Sequence, residues 1–386
     1  MDVFVNDVAA FLPNAPVDND SIESVLGRLD SVSAKTRRIV LKSNRINTRH
    51  YAVDPETGEL THTNAGLTAE AVRRLNPGGS LLPTLIDCLA CGTSTPDLLL
   101  PGHALMVQGE LGLGPCDAVT TAGICIAGMT AFKHAFLSVA AGAAKTAVAT
   151  GSELASSFIR SAFMGPLAHR NQGEDPVERL EKRPIRAFDA DFLRWMLSDG
   201  AGAAFLSREK NPDGRSLRVD WIENISFSGR LDTCMYSGGV KNSDGSMVGW
   251  RDIERIGETE KPYLFSIRQD IRLLDAEIVG TMGDALTAVV RKHGLKTDDI
   301  RWFLPHYSSA YFRPKFYDEM KRIGFEIPEE RWFTNLSSKG NTGSAAIYII
   351  LEELFHSGKL VPGDRLLCFI PESGRFSHCF MMLTAV

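Results

Sequence analysis

The stretch Ala118-Val119-Thr120-Thr121, Gly123-Ile124-Cys125-Ile126-Ala127-Gly128, Met129 to Ala141, Gly142, Thr146-Ala147-Val148-Ala149-Thr150 decides the fold class. Its first part predicts a strand and its glycine-flanked centre a sharp turn. The small-residue run then predicts a helix closed by Gly142. The uncharged run that stops at Gly151 predicts a strand buried on both faces. Strand, turn, helix and buried strand in this order are the unit of a layered α/β protein.

Outward from this unit the alternation continues. Val3-Phe4-Val5 and Val8 to Leu12 form an apolar run before Pro13. Ser21 opens a helix through Ile22, Val25, Leu26 and Leu29. Thr68 to Leu75 reads as a helix and Leu82 to Leu89 as a buried strand. Residues 154–195 read as an insertion, charged and irregular from His169 to Arg186, and Ser198 to Leu206 returns to a buried strand. The second half gives a strand at Val219 to Ile225 and loop or hairpin over 227–262. A helix over Leu264 to His293 precedes the strand Trp302-Phe303-Leu304-Pro305, which ends at His306. Pro314 to Ile323 is a further helix. Asn341-Thr342-Gly343-Ser344 opens an apolar one, and Leu366 to Ile370 and Cys379 to Leu383 are the last strands. Helix then strand recurs in both parts, so two similar halves are expected, over 1–210 and 215–386.

The 386 residues carry 42 basic and 47 acidic side chains, a formal charge of -5. That argues against chain-wide attraction to nucleic acid or to a membrane. No apolar run approaches the roughly 18–20 residues of a bilayer span. Met1 to Asp7 lacks the basic start of a secretory signal, so a cytoplasmic location is expected. Seven cysteines in a long chain do not suggest a disulfide framework. Cys88-Leu89-Ala90-Cys91 has no second pair to complete a zinc site, so no metal is expected. Ser152 lacks a nucleophile elbow. Gly200-Ala201-Gly202 lacks the spacing of a dinucleotide loop.

Cys125 lies where a strand turns into a helix. The free N–H groups and partial positive charge there favour a thiolate and can hold an oxyanion. Gly123 and Gly128 let the backbone turn and approach a ligand. Taken singly, Cys125 also reads as a small buried cysteine, His306 as a core or surface histidine, and Asn341 as a helix N-cap. Together they form a coherent set: a cysteine to take an acyl group, and two hydrogen-bond donors for a thioester oxygen. Arg37, Arg38, Lys42, Arg45 and Arg49 fall in a stretch without acidic residues. It is either a solvated face or a dock for phosphate or an acidic partner.

With these residues in place the sequence resembles the beta-ketoacyl-ACP synthase III family of the thiolase superfamily. Gly123 to Phe132 is similar to the family's nucleophile segment, followed by Gly151-Ser152. Ser198-Asp199-Gly200-Ala201-Gly202-Ala203-Ala204 resembles its D-G-A-G-A strand, Leu304-Pro305-His306 its histidine segment, and Gly340-Asn341-Thr342 its asparagine segment. The resemblance implies a five-layered α-β-α-β-α fold of two similar halves, usually a homodimer. It implies an acyltransferase that needs no cofactor and acts on thioesters of CoA or of acyl carrier protein. Cys125 would take the acyl group, and a Claisen condensation would follow. His306 and Asn341 would stabilise the enolate. The N–H groups of Cys125 and Gly374 would form the oxyanion hole.

Several positions depart from the housekeeping pattern. Ile39 and Ser43 stand where a tryptophan and an arginine would clasp CoA, and Ile126 follows the nucleophile. The family's glycine-rich end becomes Pro371-Glu372-Ser373-Gly374-Arg375-Phe376. Phe11 to Val17 and the Cys125 segment are most similar to the branch that makes cyclohexanedione and dialkylresorcinol precursors from two β-ketoacyl thioesters. The alternatives are a housekeeping synthase using acetyl-CoA and malonyl-ACP, and an acyltransferase that forms an ester or amide. The basic stretch would contact the carrier protein or the cofactor phosphate through Arg37, Arg38, Lys42 and Arg45.

Overall fold

The computed structural model describes residues 1–28, 34–79, 86–160, 193–212, 214–258, 260–261 and 264–386. Among these residues nine strands form one mixed sheet. They are β1 (Phe4–Phe11), β2 (Cys88–Thr93), β3 (Asp117–Ala122), β4 (Thr146–Glu153), β5 (Gly200–Ser207), β6 (Leu217–Ser226), β7 (Trp302–Pro305), β8 (Arg365–Glu372) and β9 (Ser377–Ala385). The main helices are α1 (Ala34–Asn44), α2 (Asn64–Arg73), α3 (His103–Leu111), α4 (Ala127–Ala141), α5 (Ile271–His293), α6 (Phe312–Arg322) and α7 (Ala346–His356).

The halves repeat one another. In the first, the order is β1-β5-β4-β2-β3, with antiparallel pairing as far as β4 and parallel pairing beyond it. In the second, β6-β9-β8-β7 follows the same order and the same directions. A parallel bridge from Phe303 to Trp332 marks the fifth position. The halves join where Phe4 and Val5 of β1 pair with Arg218 and Leu217 of β6.

Five layers result. α2 and α3 cover the outer face of the first half, and α5, with α6 against it, covers that of the second. Between the halves lie α4 and α7, each touching strands of both. Three apolar clusters fill the spaces between layers. The sequence explains which helices go inside. In α4 the buried residues Gly128, Ala131, Phe132, Ala135, Ser138 and Val139 recur at helical spacing, and Gly142 closes it with φ +79°. α7 buries Ile347, Tyr348, Ile349, Ile350, Leu351 and Leu354, apolar around its circumference. The two halves approach closely because glycines stand at the contact. A Cβ on Gly202 would lie 2.2 Å from that of Tyr348, and one on Gly128 would lie 2.4 Å from the Ser344 carbonyl oxygen.

Several expectations need correction. The second strand is described from Cys88 to Thr93, so Cys88 and Cys91 sit inside a fully buried strand; the part expected at 82–85 lies outside the described residues. The first helix ends at Leu26 rather than Leu29. α5 begins at Ile271, not Leu264, because Asp270 caps it by accepting the Leu273 N–H at 3.1 Å. Of the expected insertion, 161–192 lies outside the described residues, but its two ends belong to the core. Leu154, Ala155 and Ile159 on one side and Leu193 and Trp195 on the other are buried. Gly128 serves the contact between halves rather than a ligand.

Candidate active site

The site gathers at the C-terminal ends of the parallel strands, where open α/β sheets bind their ligands. The repeat puts its residues in equivalent places. Cys125 follows β3 and precedes α4; Asn341 follows the fifth position of the second half and precedes α7. Ser94 comes directly after β2 and His306 directly after β7. Glu153 closes β4 and Glu372 closes β8.

Cys125 and Asn341 line one cavity with Ser94, Thr95, Glu153, Gln269, Ser308 and Ser373. Its apolar wall is Ile124, Ala155, Leu193, Met196, Leu197, Met235 and Ile267. About 510 Å³ lies between these atoms, part of it open to solvent. His306 is buried two residues before the lining Ser308, its backbone N–H donated to the Phe369 carbonyl at 2.8 Å. Gly374 adjoins the lining Ser373 and touches the Ile124 side of the cavity. The histidine and the glycine are thus chain neighbours of lining residues and not lining residues themselves.

The electrostatics differ from the expectation for a helix N-terminus. Burial raises the Cys125 thiol above its ordinary value, and the carboxylates of Glu153 and Glu372 raise it further. Desolvation and two negative neighbours outweigh the helix end, so the resting group is a thiol. Burial lowers His306 to about 4, leaving a neutral imidazole at neutral pH. Asn341 does not cap α7. Its Oδ1 accepts the Gly343 N–H at 3.0 Å within a tight turn, and Ala345 holds the cap position. With its oxygen so used, the Nδ2 donor is left for the cavity. The Gly374 N–H, expected in the oxyanion hole, donates to Glu372 Oε1.

Sequence reasoning singled out neither carboxylate as a site group. Glu372 was visible as a departure from a glycine-rich end, and Glu153 directly follows the quoted Gly151-Ser152. Both are buried, and burial raises both.

The basic stretch divides. Arg49 is fully buried and donates to the Trp195 carbonyl and to Asn19 Oδ1, a structural role. Arg37 pairs with Glu23 at 2.8 Å and bonds the Asn19 carbonyl at 2.5 Å. Arg38, Lys42 and Arg45 are exposed, as is Ile39 between them. At the opposite ends of β2 and β3 from the cavity, Cys88, Asp117 and His134 bring ligand-type atoms within 4.8 Å of one another. Among the described residues no helix is long and apolar enough to cross a membrane.

Two halves of one strand order, with helices between them and the site at their meeting, define a thiolase fold. Solved structures of low identity share it. AbyA1, a tetronic acid condensing enzyme, is 21% identical with a TM-score of 0.76, covering 99% of each chain. Xanthomonas campestris OleA (H285A) is 18% identical with a TM-score of 0.75, covering 100% of this chain and 98% of that one. Residues 290–371 match the family model 3-oxoacyl-[acyl-carrier-protein (ACP)] synthase III C terminal. Over 94% of this chain and 93% of the relative, the sequence is 23% identical to beta-ketoacyl-[acyl-carrier-protein] synthase III of Hyphomonas neptunium. In sequence the chain is thus similar to beta-ketoacyl-ACP synthase III, and in fold to condensing enzymes of the thiolase fold.

Proposed function

We propose that the protein is a condensing enzyme that takes an acyl group onto Cys125 and then forms a carbon–carbon bond with a second thioester. The observation that carries this reading is the symmetric placing of Cys125 and Asn341 ahead of the two central helices, on one cavity with an apolar wall. In the first step Cys125 Sγ bonds the thioester carbon, and the bond to the CoA or carrier sulfur breaks. The leaving sulfur departs with the proton that the thiol gave up. In the second step the extender becomes a carbanion, by loss of CO2 from a malonyl group or of a C2 proton from a β-ketoacyl group. It attacks the acyl carbon, the bond from that carbon to Cys125 Sγ breaks, and the departing thiolate takes up the C2 proton or, after decarboxylation, one from water. Neutral His306 and the Asn341 Nδ2 donate hydrogen bonds to the enolate oxygen, where fixed donors act most strongly.

Intact-protein mass spectrometry against a panel of acyl thioesters tests this. The wild-type chain gains an acyl mass and Cys125→Ala gains none; an adduct kept by the alanine variant would remove Cys125 from the mechanism. Of the finer readings we favour the cyclohexanedione or dialkylresorcinol branch over the housekeeping synthase. Its support is the Pro371-Glu372-Ser373 segment that ends β8 and the exposed Ile39 in place of a CoA clasp. Rapid turnover with acetyl-CoA and malonyl-ACP would reverse that preference. A product that is an ester or amide of an intact acceptor would replace condensation by simple acyl transfer. The partner we propose is an acyl carrier protein, met by Arg38, Lys42 and Arg45. We also propose a homodimer, supported by the open edge of β3 and the exposed leucines near it.

A further inference from the structure

We propose that Glu372 is the proton acceptor for the Cys125 thiol, and that in taking this proton it releases the Gly374 N–H to the developing oxyanion. The inference rests on the reading of Cys125 as the acylated nucleophile.

The repeat supplies the comparison. β4 and β8 hold the same place in their halves, and each ends in a buried glutamate near Cys125. Glu153 is fully engaged. Its Oε1 accepts from the N–H and hydroxyl of Ser94 and from those of Ser344, and its Oε2 accepts from the Thr95 hydroxyl. These donors come from both halves and fasten β2, β4 and the approach to α7 together. Glu372 is held differently. Its bonds are to backbone N–H groups of its own turn, those of Gly374, Arg375 and Ser377. Among the described residues no lysine, arginine or histidine pairs with it. It lies against the cavity wall: a Cβ on Gly374 would be 2.1 Å from Glu372 Oε1 and 2.9 Å from Ile124 Cδ1, beside the nucleophile. The thiol beside it is protonated at rest, and burial lowers His306 to about 4, which makes that imidazole a weak base. A base is needed, and one of the two donors expected in the oxyanion hole, the Gly374 N–H, is bound to a carboxylate.

One proton movement answers both needs. The thiol proton passes to Glu372 as Sγ bonds the thioester carbon, and the carbonyl electron pair moves onto oxygen. A neutral carboxyl is a weaker acceptor than a carboxylate, so the Gly374 N–H turns to the new oxyanion. Collapse re-forms the carbonyl and breaks the bond to the CoA or carrier sulfur. That thiolate takes the proton from Glu372, and the restored carboxylate recaptures the N–H.

The test pairs two measurements on Glu372→Gln, which keeps an oxygen for the Gly374 N–H but cannot serve as the base. The first is the rate of acyl-enzyme formation, followed by thiol release; it falls by about 10²-fold or more. The second is the pH midpoint of Cys125 alkylation by iodoacetamide, read by peptide mass. It moves down, because one of the negative charges raising the thiol is gone. Cys125, Cys234 and, through Cys125, Glu153 are the titratable groups facing Glu372. A structural role for Glu372 would not slow acylation while making the thiol easier to ionise. Glu372→Asp, which keeps a carboxylate, acylates faster than Glu372→Gln. If neither variant folds, the wild-type acylation rate must fall on the acid side as Glu372 protonates, and a flat profile overturns the assignment. Acylation of Glu372→Gln at the wild-type rate, or an unmoved alkylation midpoint, also overturns it. Absence of any acyl adduct on the wild-type chain instead overturns the functional reading.

Discussion

The Tyr348 hydroxyl of α7 donates to the Gly128 carbonyl oxygen of α4 at 2.7 Å, joining the two central helices across the repeat. This bond holds the segment bearing Cys125 to the segment bearing Asn341. Tyr348 is fully buried, so its hydroxyl has no alternative partner in water. Tyr348→Phe is therefore expected to cost about 1 kcal/mol in denaturant unfolding. Gly202→Ala should cost more, about 1–3 kcal/mol, because the new methyl meets the Tyr348 Cβ at 2.2 Å on a helix that cannot withdraw. Unchanged midpoints for both would mean that the halves are held together elsewhere.

In the proposed mechanism Asn341 acts in the second chemical step and not in the first. Asn341→Asp keeps an oxygen for the Gly343 N–H at 3.0 Å, so the turn survives. It loses the Nδ2 donor and brings a negative charge toward the enolate. Acyl-enzyme should still form on Cys125, while condensed product falls by about 10²–10³-fold. Mass spectrometry of the protein and of the product separates the two. Equal loss of both steps would place Asn341 in the acylation machinery instead.

The fold was legible wherever burial is imposed along a continuous segment. The uncharged run before Gly151 becomes a strand buried through Glu153, and the small-residue run becomes a helix ending at Gly142. Helix starts were less legible, since Asp270 sets the start of α5 by a local bond inside an apolar stretch. The site was legible as residue types but not as electrostatics. A helix N-terminus suggests a low thiol value, and only the folded chain brings Glu153 and Glu372 beside Cys125 from strands far apart in sequence. In the same way, a run of arginines does not reveal that Arg49 is buried under Trp195 while Arg38 is exposed.

His378 gives a pH dependence of stability with a definite sign. It is fully buried and lowered to about 3, so the folded state keeps it neutral where the unfolded chain binds a proton. Stability from this group is present above the unfolded value of 6.5 and is lost as pH falls through the window down to about 3. Asp199, raised to about 6, acts in the opposite sense between there and its ordinary value of 3.8. Total stability mixes such terms, but comparison with a variant isolates one. His378→Gln should narrow its stability gap to wild type by about 1–2 kcal/mol between pH 7 and pH 5. A gap that stays constant would mean that His378 does not remain neutral in the fold.

Carrier recognition should depend on the exposed part of the basic stretch alone. Arg38→Glu and Lys42→Glu are expected to raise KM for a carrier-bound thioester several-fold at low salt, with the effect fading as salt rises. Arg37→Glu should instead lower stability, because it places a second carboxylate against Glu23, now 2.8 Å from the guanidinium. An unchanged KM for the first two variants would leave α1 without a role in docking.

The edge of the sheet carries the last prediction. Among the described residues β3 pairs with β2 on one side only, and its residues are exposed or half-buried along its length. An open edge of this kind invites pairing with another chain. Close to it in the chain, Leu98, Leu99, Leu100 and Leu105 are 49%, 68%, 85% and 51% exposed, a run of apolar side chains that a partner surface would cover. A second copy related by a two-fold axis would extend the sheet through β3 and cover these leucines. Light scattering should then give twice the chain mass for the wild type and a shift toward the single-chain mass for Leu99→Glu combined with Leu100→Glu. A wild-type chain that scatters as a single copy at micromolar concentration would refute the dimer, and the leucines would need another occupant.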